Sequence, residues 1–232
     1  MNEVTSVPPG AKKRDYWWTV FFTDPIALPL VRLLARRKWF TPDQISVVAL
    51  IMGLAVGPVF ALGTRTALVA GGVLFYVTFV VDCIDGKLAR ALEITSPRGA
   101  ALDRISDGAR RASASLGLIV WLWRAEDVGN TAFWWGVVYA IAAYFFLELS
   151  GVEKPIEKTT RAFGPGDERP GLAGRWASAL ARRRLLPIPG MPDVQAVAFI
   201  IGPVTGLVVQ ALAVGTAMVL VGILVSVYRR TR

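Results

Sequence analysis

The chain has 232 residues, 54% of them apolar, and a mean hydropathy of +0.49. Its apolar runs approach the ~20 residues needed to cross a bilayer as a helix, which sets it apart from an ordinary soluble domain. It holds no histidine and a single cysteine, Cys83, which excludes Ser–His triads, imidazole general bases, thiolate metal clusters and an intrachain disulfide. The net charge of +9 lies beside apolar spans, so anionic lipid head groups rather than nucleic acid are its expected partners. These features predict an all-α polytopic membrane protein with six transmembrane helices preceded by an N-terminal interfacial amphipathic helix. Its alternative, a soluble all-α chain, is disfavoured by the number and length of the apolar runs.

In chain order, residues 1–15 are polar and basic (Lys12, Lys13, Arg14) and read as a cytosolic tail. From Tyr16 to Phe40, the aromatic cluster Tyr16-Trp17-Trp18 with Phe21 and Phe22 faces off against Arg32, Arg36, Arg37 and Lys38. That pattern predicts a helix lying in the interface, residues 1–43 forming one unit; a first span broken by Pro25 and Pro29 is the alternative. No cleavable leader is expected, because Asp24, Pro25 and Pro29 interrupt this stretch. Thr41-Pro42-Asp43-Gln44 reads as a helix start. Spans are expected at about Ile45–Leu62, from Ala67 through the end of the first acidic pair, from Gly99 to Trp123, and at Thr131–Ser150. A basic cytosolic loop follows at about 152–192, with an amphipathic helix expected within Leu172–Leu186. The last apolar block, Val194–Tyr228, holds two short spans with a turn expected at Gly202-Pro203-Val204-Thr205-Gly206. With six spans, every one of the 26 basic residues except Arg65 and Arg124 falls on one side. The positive-inside rule then places both termini and the acidic motif in the cytosol, and residues 44–232 form a six-helix catalytic domain.

The chemistry concentrates in Asp82-x-x-Asp85-Gly86-x-x-Ala89-Arg90, eight residues, then Gly99-x-x-x-Asp103-x-x-x-Asp107. Residues three or four apart share a helix face, so each acidic pair projects together, and adjacent antiparallel helices bring the four carboxylates to the same end. Acids at membrane helix ends are costly and mark function. Carboxylates crowded in this way need cations, and with no histidine or thiolate available the ions must be hard and oxygen-bound: one or two Mg²⁺ or Mn²⁺, a pair being the expectation. Such ions can clamp a phosphoryl group. Gly86 lets a ligand approach the backbone, and Arg90 offers phosphate a bidentate fork.

All eight fixed positions match the signature of the CDP-alcohol phosphotransferase family, which the chain therefore resembles; Thr41-Pro42-Asp43-Gln44-Ile45-Ser46 is also similar to that family's entry to the first span. The resemblance implies metal-dependent transfer of a substituted phosphoryl group, a phosphatidyl group for a CDP-diacylglycerol donor, to an alcohol, with release of CMP and a place in phospholipid or related phosphodiester synthesis. Carried over by motif, Asp82, Asp85, Asp103 and Asp107 are metal ligands, Asp107 is also the general base, and Gly86, Ala89, Arg90 and Gly99 contact the CDP moiety. It also implies a homodimer in a cell membrane, bacterial by expectation. A donor with a CDP-linked polar head group and a lipid or polyol acceptor is the alternative polarity; a cation-coupled transporter is the rival from another class. Outside the signature, Arg110 and Arg111 follow Asp107 by three and four residues and are candidates for binding a substrate phosphate, with pairing to Glu148 as the competing role.

Overall fold

The computed structural model describes residues 8–125, 129–152 and 178–231. Most of the expected basic loop, residues 153–177, lies outside them, as does part of the polar turn after Arg124. Among the described residues the chain is helical apart from an isolated bridge between Asp15 and Leu185.

Helix α1 (Asp24–Arg37) follows a widened turn over Thr19–Thr23, carries Pro25 in its first turn, where no N–H is needed, and contains Pro29. Lys38 ends it in the left-handed region. The expected start at Thr41 is a capping box: the Gln44 amide donates to the Thr41 hydroxyl at 3.3 Å, and the Thr41 amide to the Gln44 side chain at 3.0 Å. Thr64 and Ser96 cap α3 (Arg65–Ala91) and α4 (Pro97–Arg124) more simply, each side chain accepting from one amide, that of Ala67 and of Gly99. Helices α2 (Pro42–Ala61), α5 (Gly129–Val152) and α7 (Val208–Arg230) complete the long elements.

Among the described residues four helical stretches are long and apolar enough to cross a membrane: Pro42–Ala61, Arg65–Ala91, Thr131–Leu149 and Val208–Tyr228. Their outward faces carry large apolar side chains such as Ile51, Leu54, Ile141, Phe145, Val221 and Leu224, as lipid contact requires. The chain is thus an all-helical integral membrane protein. Helix α4 has the length to span but carries the second acidic pair and several arginines. Helix α6 (Met191–Thr205) is apolar but shorter than the others. The turn after it falls one step later than the sequence suggests. Pro203 stays inside α6, just after a widened turn over Val197–Ile201, and the helix stops at Gly206, whose φ of 87° is readily available only to glycine. Arg65 closes this end by donating to the Pro203 and Val204 carbonyls, a favourable cation at a helix C-terminus.

The bundle is built on α2, which packs against both α3 and α4, while α5 packs against α7. The crossing of α2 and α4 is backbone on backbone. A Cβ on Gly57 would stand 2.2 Å from the Ser113 carbonyl oxygen, and one on Gly117 would stand 2.3 Å from that of Gly57. Ser113 fastens the crossing, its hydroxyl accepting from the Gly57 amide at 3.0 Å and donating to the Leu54 carbonyl at 2.8 Å. One apolar core, including Phe60, Phe75, Leu118, Tyr139, Phe199 and Leu212, joins α2 to α7; a second docks Ala27 and Val31 of α1 on Val80, Ile84 and Leu88 of α3. Gly57→Leu should therefore cost about 1–3 kcal/mol or more through forced separation of the helices. A lowered melting temperature in detergent is the readout, against little change for Leu54→Ala on the lipid-facing side.

Candidate active site

The crossing places the start of α2, the end of α3 and the start of α4 together, and their acids line a cavity of about 650 Å³. One carboxylate oxygen from each of Asp82, Asp85 and Asp103 lies within 4.8 Å of the other two. Asp82 and Asp85 are buried, whereas Asp103 and Asp107 are partly exposed. Asp85 accepts from the Ser46 hydroxyl and the Gly86 amide. The Asp82 Oδ1 atom is buried without a hydrogen-bond partner, a costly arrangement that a bound ligand would relieve. An orphaned carboxylate oxygen beside those of Asp85 and Asp103 forms an all-oxygen donor set that fits a hard divalent cation.

The other oxygen of Asp82 belongs to Arg110. This guanidinium is fully buried, 3.1 Å from Asp82 Oδ2 and hydrogen-bonded to Asp107 Oδ1. It lies over the rings of Phe79 and Phe75 at 5.1 and 5.5 Å from their centroids. Arg111 takes the remaining oxygen of Asp107 at 3.0 Å. The two arginines are not equivalent, for Arg111 lines the cavity while Arg110 lies behind it. Neither pairing involves Glu148, which is exposed.

Gly86, Ala89, Arg90 and Gly99 all line the same cavity. Lys87, which interrupts them in sequence, is buried and reaches back to Asp24 of α1 at 3.3 Å; Arg184 holds the other oxygen of Asp24 at 3.3 Å. The rest of the wall comes from segments far from the motif in sequence: Lys12, Asp15, Tyr16 and Thr19 from the N-terminal segment, Phe146 and Leu147 from α5, and Met191 and Gln195 from α6. Burial, with Asp15 and Asp193 nearby, pushes the Tyr16 phenol up to about 12, so it retains its proton and can donate to a ligand. Gln195 is buried with its Oε1 unpartnered. None of these wall residues stood out in the sequence except as part of a basic tail or an apolar block, because no short spacing links them to the acids. Ser46 lay in a recognised segment, but only its proximity to Asp85 gives it a role.

An all-helical membrane protein whose helix ends gather aspartates and glycines around one cavity is the class that fold and site define. The CDP-alcohol phosphatidyltransferase family model matches residues 39–159, just over half of the chain. The chain belongs to that family, whose general reaction moves a substituted phosphoryl group from a CDP-linked donor to an alcohol. It is also similar to a protein named bifunctional IPC transferase and DIPP synthase from Thermococcus kodakarensis, with 39% identity over 67 residues. That match covers 29% of this chain and only 15% of the relative's length.

Removing one partner of a buried ion pair typically costs about 3–5 kcal/mol. Arg110→Met should accordingly lower the melting temperature in detergent sharply, and far more than Arg111→Met, whose guanidinium borders the cavity; equal shifts would contradict this ranking.

Proposed function

We propose that the chain is an integral membrane transferase that moves a phosphatidyl group from CDP-diacylglycerol to a phosphorylated polar alcohol, releasing CMP. The observation that carries this reading is the convergence of three carboxylate oxygens on a cavity lined by every member of the nucleotide-contact set Gly86, Ala89, Arg90 and Gly99. The apolar outer surface beside it suits a lipid-bearing donor. The guanidinium of Arg111 at the cavity wall suits an acceptor that brings its own phosphate.

In this reading Asp82, Asp85 and Asp103, with a contribution from Asp107, hold two Mg²⁺ or Mn²⁺ ions. When bound, such ions neutralise the carboxylates and the charge that builds on the transferred phosphoryl group. Arg90 and the open backbone at Gly86 seat the cytidine diphosphate. Ser46 and the Gly86 amide hold Asp85 in place. Arg110 orients Asp82 and Asp107 from behind. Asp107, at the cavity wall, accepts the proton of the acceptor hydroxyl. The acceptor oxygen then forms a bond to the phosphorus bearing the lipid, the bond from that phosphorus to the cytidylate oxygen breaks, and CMP leaves. The distribution of basic residues supports a cytosolic position for this end of the bundle and for both termini, with six spans and α1 in the interface.

The decisive experiment is CMP release by the purified protein, crossing CDP-linked donors with a panel of alcohols. Activity is expected with CDP-diacylglycerol, abolished by EDTA and restored by Mg²⁺ or Mn²⁺. Asp107→Asn should reduce kcat by about 10²–10⁴-fold, the usual contribution of a general base. No CMP from any donor, by protein that is folded by thermal melting, would overturn the assignment and favour an ion-translocating role.

A further inference from the structure

We propose that the N-terminal segment Gly10–Trp18 is a built wall of the donor site and that Lys12 binds the pyrophosphate of the CDP-linked donor. This rests on the donor reading above and extends it to a residue outside the signature motif.

The segment is fastened along its length. Arg184 donates through Nε and a terminal nitrogen to the Lys12 carbonyl, at 3.2 and 2.8 Å. The Asp15 amide donates to the Arg184 carbonyl at 2.8 Å, and the Leu186 amide returns to the Asp15 carbonyl at 3.0 Å. Beyond it, the Trp17 indole donates to the Leu186 carbonyl at 2.8 Å, and the Trp18 amide to Asp193 Oδ1 at 2.6 Å. Arg184 is itself held on Asp24, the partner of Lys87, so the segment is tied through ion pairs to the helix bearing Asp82 and Asp85.

At its start the fit is equally close. Gly10 adopts a φ of 81°, and a Cβ there would stand 2.4 Å from the Lys87 carbonyl oxygen. Its own carbonyl accepts from Arg90 Nε at 2.9 Å. Lys12 follows two residues on, its backbone fixed and its side chain exposed at the cavity wall with Arg90, Gly99 and Asp103. Its charge acts on Asp103, and among the described residues no carboxylate lies within ion-pair distance of its ammonium. A donor pyrophosphate brings further negative charge to a cavity already lined by six aspartates. An ammonium with three donors, on a backbone that cannot drift, supplies a point cation to the cavity wall in addition to the guanidinium of Arg90.

The test is calorimetric titration of CDP and of cytidine into the detergent-purified full chain, in the presence of Mn²⁺. For Lys12→Gln, CDP affinity should fall about tenfold, the scale of one charge-assisted hydrogen bond, while cytidine affinity changes less than about twofold. Lys12→Arg should retain CDP affinity. In turnover, Lys12→Gln should raise KM for the donor by about the same factor, leaving kcat within about threefold. Gly10→Val, which cannot seat against Lys87, should reproduce the loss of CDP affinity. Unchanged CDP binding in Lys12→Gln, or an equal loss for cytidine, overturns the role of Lys12. Wild-type CDP affinity in Gly10→Val overturns the wall. A wild-type chain that binds neither compound overturns the donor reading itself, and this inference with it.

Discussion

Asp82 and Asp107 share one fully buried guanidinium, and most of the structure follows from making that arrangement tolerable. Taking an ion out of water costs several kcal/mol even after relaxation, and here two acids and an arginine are packed between helices long enough to cross a membrane. Three features offset the cost. The Arg110 guanidinium bonds both carboxylates, the rings of Phe75 and Phe79 cover it, and Gly53 of α2 leaves room for its stem, a Cβ there standing 3.0 Å from that of Arg110. Because α2 and α4 cross at glycines, the arginine can lie between α3 and α4 with its charge turned toward the cavity's carboxylates rather than toward lipid.

That placement leaves the site incomplete in a specific way. Arg110 satisfies one oxygen of Asp82 and leaves the other buried and unpartnered beside Asp85 and Asp103. The resident cation therefore orients the acids without satisfying them, which is the condition under which a divalent ion gains most from binding. Arg111 differs by one residue and has the opposite character, since its guanidinium borders the cavity. Two adjacent arginines thus differ in place, Arg110 packed behind the acids and Arg111 at the cavity wall.

A second ion network, Asp24 with Lys87 and Arg184, fastens the chain's N-terminal part and the segment before α6 to the same helix end. The cavity is consequently lined on one side by the family's signature and on the other by residues distant from it in sequence. The signature side fixes the reaction class. Tyr16, Phe146 and Gln195 are among those distant residues, and a buried, unpartnered amide oxygen such as that of Gln195 penalises any ligand that fails to bond it.

Much of this was legible in the sequence, for physical reasons that operate over short range. Helices of spanning length follow from long apolar runs, the start of α2 from Thr41 with Pro42 and Gln44 after it, and the shared faces of the acidic pairs from the helical repeat. Absence of histidine and of a second cysteine limited any metal site to oxygen ligands before a fold was known. Pairings across the bundle depended on the tertiary structure. Arg110 and Arg111 look interchangeable in sequence until packing turns Arg110 toward Asp82 and leaves Arg111 at the cavity wall, and no short-range pattern shows that Lys87 reaches back to Asp24. The end of α6 moved from Pro203 to Gly206 because a widened turn accommodates a residue with no N–H, which no local pattern announces. The sequence by itself determined a membrane-helical protein with four acids at one end of the bundle and the reaction class they imply. Only the tertiary structure decided which cation answers which acid and which distant segments close the cavity, since those choices rest on contacts between residues up to about 170 positions apart, beyond the reach of any helical or turn periodicity.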